Sequence, residues 1–119
     1  MRKEIEERLV DFAVSIYRLC GELDNSFMSA YLSNQILRSG NAAALNYAEA
    51  QGAESRKDFI HKASIVLKEL RETHVNLQIM YMAGIYKTEV SMKQLLDEAN
   101  QLVAIFHKTV ITARKNQAG

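Results

Sequence analysis

Few side chains in this sequence are spaced for chemistry, and the first to test is Asp58-Phe-Ile-His61. A carboxylate three residues before a histidine projects from the same helix face, which is half of the ligand set of a carboxylate-bridged di-iron bundle. The other half needs a second such pair. Alanine stands three positions before His107 and Arg71 three before His74, and His61 and His74 lie too far apart on one helix to share an ion. No metal and no cofactor is expected. The chain has no Gly-x-Ser-x-Gly turn and no glycine-rich phosphate loop ahead of a helix. Its serines fall in helix caps or among small packing residues, so the expectation is that the protein is not an enzyme. Cys20 is the one cysteine and cannot form an internal disulfide. It reads as a small, half-buried apolar residue in a reducing compartment.

Binding is the remaining chemistry. Arg56, Lys57, Lys62 and Lys68 cluster at the start and along one side of a helix, with Arg38 as a further candidate. Helix N-termini attract phosphates. Glu54, Asp58, Glu69 and Glu72 are interleaved with these cations, however, which favours a solvated face laced with ion pairs. Fifteen basic against fourteen acidic side chains leave a formal charge of +1, so no global field draws the chain to nucleic acid or to an anionic bilayer. Tyr31, Tyr47, Tyr81 and Tyr86 could stack on bases, but such residues more often edge a core or an interface. The opening Met-Arg-Lys-Glu-Ile-Glu-Glu-Arg is too charged for a signal peptide. The apolar run from Leu102 to Phe106 falls far short of the roughly 20 residues that span a bilayer, so no membrane partner is expected and the location is read as cytoplasmic.

The elements that must position these residues are helices throughout. A chain of 119 residues makes one domain, and the absence of proline and scarcity of glycine favour helix nearly everywhere. Apolar residues at Ile5, Leu9, Phe12, Ile16, Leu19 and Leu23 alternate gaps of four and three, the seam of a bundle helix over about residues 2–22. Gly21 and Asp24-Asn25-Ser26 stop it and cap the next, about 26–51, whose stripe passes from Met28 and Leu32 to the small residues Ser39, Ala43 and Ala50. Gly40 in mid-helix costs about 1 kcal/mol relative to alanine, so a close helix approach is its expected reason. Ser55 opens a third helix, about 55–83, with Asp58 completing a capping box. Thr88 or Ser91 opens a fourth, about 88–115, and Asn116 to Gly119 should fray. Four helices of similar length on short connections fold as an all-α, antiparallel up-down-up-down four-helix bundle.

Arg38, Asn46 and Glu49 lie near the small-residue surface of the second helix and are expected, with Tyr47, to organise the polar part of a helix or subunit contact. Apolar residues flank the seams as well: Ile36, Leu37, Leu45, Tyr47, Ile60, Ile65, Ile79, Met82, Ile105 and Ile111. They exceed what one thin bundle is expected to bury, which points to partner subunits and self-association.

The run Gln35-Ile-Leu-Arg-Ser-Gly40, then Asn46-Tyr-Ala-Glu49, then Ala53-Glu-Ser-Arg-Lys-Asp-Phe-Ile-His-Lys62 resembles the signature of bacterial four-helix-bundle proteins grouped with the 23S rRNA intervening-sequence proteins. That family includes the accessory variability protein of diversity-generating retroelements. The resemblance spans about residues 9–112 and implies an up-down bundle that assembles as a ring-like homopentamer. For the retroelement members it also implies a basic surface that binds nucleic acid and a reverse transcriptase. Here the sequence reading is a non-enzymatic oligomeric scaffold or adaptor. The alternative is an RNA- or DNA-binding accessory protein that repeats Arg56, Lys57, Lys62 and Lys68 around a ring.

Overall fold

The computed structural model describes residues 2–118, and all of its regular structure is helical: α1 (Arg2–Gly21), α2 (Phe27–Gln51), α3 (Arg56–Ala83) and α4 (Glu89–Ala118). The helices form an antiparallel bundle 50 Å long and about 20 Å across. Each helix packs on two others: α1 lies beside α2 and α4, and α3 lies beside α2 and α4. The diagonal pairs α1/α3 and α2/α4 make no close backbone approach. Packing is tightest between α2 and α3 and thinnest between α1 and α4.

Local chemistry sets the helix ends. Ser26 caps α2 by accepting the Ser29 amide at 3.1 Å, while Asp24 accepts from the Ser26 amide at 3.0 Å and the Ser29 hydroxyl at 2.7 Å. Hydrogen bonds from Ser26 and then Ser29 hold the Asp24 carboxyl below its ordinary value. Ser55 caps α3 through the Asp58 amide at 3.0 Å, as the capping-box reading requires. At the other end of α3, Gly84 turns left-handed at φ 73°, and the Ile85 amide reaches back to the Met80 carbonyl at 2.8 Å. That backbone conformation suits a residue without a side chain. α4 begins one residue after Thr88, whose carbonyl accepts the Met92 amide at 3.2 Å, and Ser91 lies inside the helix. Asn116 and Gln117, expected to fray, are helical and continue α4, which no glycine or proline interrupts and whose negative dipole end Arg114 and Lys115 complement. Gly119 itself lies outside the described residues.

The seams are wider than a strict alternation of fours and threes. Ile36, Tyr47 and Ile60, expected as surplus apolar flanks, are buried within the single chain. Leu37, Ile65 and Ile105 are half-buried, and Leu45, Ile79, Met82 and Ile111 remain exposed. Tyr47 closes the core edge-on against Phe106, with ring centroids 5.4 Å apart and planes at 84°. The start of α2 also differs in phase. Met28 faces solvent and Ser29 is buried, because the Ser26 cap and Asp24 fix the first turn.

Gly40 marks the close approach of α1 and α2. A Cβ there would stand 2.8 Å from the Cδ1 of Ile16, a side chain only 1% exposed. Gly40→Ala therefore sets a gain in helix propensity against a clash with a packed methyl group. In an Ile16→Val background, which removes that methyl, Gly40→Ala is expected to stabilise by about 0.5–1 kcal/mol, and in the unaltered chain by clearly less. Urea unfolding of the four chains measures this. Equal effects in both backgrounds would contradict the contact.

Candidate functional site

A polar ladder runs along the α2/α3 seam where the sequence places its unusual residues. At its centre the Ser39 and Thr73 hydroxyls lie 2.7 Å apart, both fully buried. Thr73 is within 2.8 Å of the Glu69 carbonyl one turn back, and Ser39 is 3.3 Å from the Ile36 carbonyl. Each hydroxyl has one proton, so one donates to its own helix and the other across the seam. Beside them Arg38 reaches Glu69 at 3.3 Å and Glu72 at 2.6 Å, and these partners push its guanidinium above its ordinary pKa, Glu69 most. Near the α2/α3 connection Lys62 meets Glu49 at 2.6 Å, which likewise raises the lysine. Asn46 turns inward on its own helix and donates to the Ala42 carbonyl at 2.8 Å. Arg38 and Glu49 thus join α2 to α3, Asn46 satisfies α2 itself, and Tyr47 belongs to the core.

The candidate phosphate-binding cations are not brought together as one set. Arg56 and Lys57 lie at the N-terminus of α3, and Lys68 is exposed three turns further on. Lys62 is drawn towards α2 by Glu49. A different set assembles on the α3/α4 seam. The Arg71 guanidinium stands 3.3 Å from Nδ1 of His107, and Arg114 donates to the Ser64 hydroxyl at 3.4 Å. Neither arginine has a carboxylate partner among the described residues. Arg56 and Lys108 border a groove of about 720 Å³ whose floor includes Phe59 and Ile105. A sequence signal for this face existed: no Asp or Glu follows Glu98, while His107, Lys108, Arg114 and Lys115 do.

Across the molecule, Arg8 grips Glu98 with both arms, at 2.6 and 3.1 Å, and also reaches Gln101 at 3.2 Å, tying α1 to α4. The hydrogen bond that Arg8 donates to Glu98 leads the causes that raise the guanidinium above its ordinary pKa. Burial pushes the half-buried Cys20 thiol up, which disfavours the reactive thiolate. The described residues contain no cluster of three His, Cys, Asp or Glu side chains able to hold a metal, and no helix long and apolar enough to cross a membrane.

The last surface is apolar. Val10, Ala13, Val14 and Tyr17 of α1 and Asn41, Ala44 and Leu45 of α2 line a groove of about 400 Å³ that contains no charged side chain. Tyr17 and Leu45 are 70% and 63% exposed, so this greasy strip faces water in the single chain.

This fold and these helix contacts match known proteins. Residues 2–108 match the family described as 23S rRNA-intervening sequence protein, and the chain belongs to that family. It is similar to a crystal structure from Bacteroides thetaiotaomicron, a protein of unknown function from the S23 ribosomal protein family. The two are 31% identical, with a TM-score of 0.80, over 89% of this chain and 97% of the other. No protein of curated function is significantly similar.

The buried hydroxyl pair is open to a direct test. Thr73→Val leaves Ser39 facing a methyl group, with only its long bond to Ile36, and is expected to cost about 1–3 kcal/mol. Adding Ser39→Ala removes the stranded polar group, so the double variant should be less destabilised than the sum of the singles by more than about 0.5 kcal/mol. Strict additivity in urea unfolding would show that the two hydroxyls are not coupled.

Proposed function

We propose that the protein is a non-enzymatic, homo-oligomeric scaffold or adaptor, assembled as a pentameric ring. The observation that carries this reading is the charge-free apolar strip of Val10, Val14, Tyr17 and Leu45 left in water by the single chain. Soluble monomers seldom expose contiguous apolar surface of this kind unless another protein covers it. Charge depletion is the compositional mark of an interface centre. The small, mostly neutral outer face of α2 supports the same reading, as does the family resemblance to ring-forming bundles. The unpaired, half-buried Cys20 suits a reducing cytoplasm. Light scattering or sedimentation at micromolar protein is expected to give about five times the 13.5 kDa chain mass. A monomer at those concentrations would overturn the reading.

A second reading is favoured by one observation, the two α3/α4 arginines without a carboxylate partner among the described residues. Arg71, Lys108 and Arg114 offer positive charge without a carboxylate partner along one seam, and phosphate groups are the anions such a surface suits. On this reading the protein, repeated around a ring, grips the backbone of RNA or DNA. Structured RNA should be retarded at low salt, with affinity falling steeply as salt rises. Arg71→Gln with Arg114→Gln should weaken retardation by about tenfold or more, whereas Lys62→Gln, whose ammonium is held by Glu49, should change it little. No retardation at low salt, or retardation indifferent to salt, would end this reading.

A further inference from the structure

Around the bundle, α2 is the helix whose solvent side is nearly free of charge. From Phe27 to Ala48 it carries one ionisable head group apart from tyrosine, Arg38, and that one is neutralised by Glu69 and Glu72 of its own chain. Apolar surface flanks α2 on both sides. On the α1 side lie Val10, Val14 and Tyr17. On the α3 side, Tyr31 stands one heptad before Arg38, and Ile65 and Ile79 one heptad before and after Glu72. Tyr31 and Ile79 are about half exposed. Residues seven apart share a column on a bundle helix, so these three border the same α2/α3 face as the Arg38–Glu72 pair.

From these observations we propose that the occupant of both faces is a second copy of this chain, joined head to tail: the α1/α2 face of one copy covers the α2/α3 face of the next, with α2 nearest the ring axis. This rests on the oligomer reading above and assigns its contact. The two faces share one helix and meet at roughly a right angle, as adjacent sides of a four-helix bundle do. Copies stacked through adjacent sides turn steadily and close after a few steps, whereas copies stacked through opposite sides would extend into a filament. A foreign partner would need only one of the two faces.

Charge supports the same occupant. Glu6 and Glu7 edge the apolar strip on α1 and form no ion pair among the described residues, and Lys68, exposed on the outer side of α3, forms none either. Placing one face on the other brings carboxylates towards an ammonium. Within one chain they lie on opposite sides of the bundle, because α1 and α3 are diagonal and make no close backbone approach.

Charge reversal tests this contact. Lys68→Glu and Glu7→Lys are each expected to raise the concentration for half-assembly about fivefold, and the two together in one chain should return it to near the starting value. Since the two sites are apart within a chain, rescue can act only between copies. A second measurement uses the apolar faces. Val14→Glu with Tyr17→Glu on one chain, and Tyr31→Glu with Ile79→Glu on another, should each give folded monomers by circular dichroism and light scattering. Mixed, the two should form a dimer that grows no further, because one intact contact remains. Asn100→Glu, on the outer side of α4, should leave assembly unchanged. If the wild type assembles but the mixture stays monomeric and charge reversal shows no rescue, the head-to-tail contact is overturned while the oligomer stands. A monomeric wild type overturns both.

Discussion

The close approach of α2 to its neighbours is the constraint on which the rest of the molecule depends. Gly40 lets α1 come within contact of its backbone, and Ser39, Ala43 and Ala50 are small enough to pack tightly in the core. Helices brought this near leave no room for a bridging water between buried hydroxyls, so Ser39 and Thr73 satisfy each other. Once α2 and α3 are held in this register, Arg38 falls opposite Glu69 and Glu72, and Glu49 opposite Lys62. The ion pairs follow from the packing. At the surface each is worth little alone, but together they disfavour a slip of one helix turn, which would set like charges against each other.

Much of this was legible in the amino-acid order. The recurring fours and threes at Leu9, Phe12, Ile16 and Leu19, and at Ala63, Val66, Leu70, Thr73 and Leu77, mark the buried face of α1 and α3 without ambiguity, because a helix buries what its period repeats. The Ser55 cap and the Gly84 stop were readable for a similar reason, since both rest on local backbone chemistry. What periodicity could not resolve is how wide a seam the neighbours cover. Ile36, Tyr47 and Ile60 sit one position off a narrow stripe, and whether they are core or surface depends on the rotation of each helix about its axis. Packing between helices settles that, and no single helix encodes it.

The candidate site was harder for the same reason. Charges interleaved along α3 look evenly mixed in the sequence. Folding sorts them: Glu69 and Glu72 turn to α2 and its arginine, while Arg71 turns to α4 and a histidine. A near-neutral chain thereby acquires a cationic seam that a net charge of +1 conceals. Membership of the 23S rRNA-intervening sequence protein family fixes the architecture and leaves the work of each face to chemistry of this kind.

The thin seam between α1 and α4 has its own implication. α1 is the shortest helix, and its backbone approaches α4 at few points; there the two helices share the core of Leu9, Phe12, Leu95 and Leu102 and the Arg8 fork on Glu98. Loss of that fork would weaken the α1/α4 seam and leave the hydroxyl pair between α2 and α3 in place. By these contacts α1 is the helix least fastened to its neighbours. Local opening of the bundle is therefore expected to begin at α1, whose amide protons should exchange ahead of those of α2 and α3.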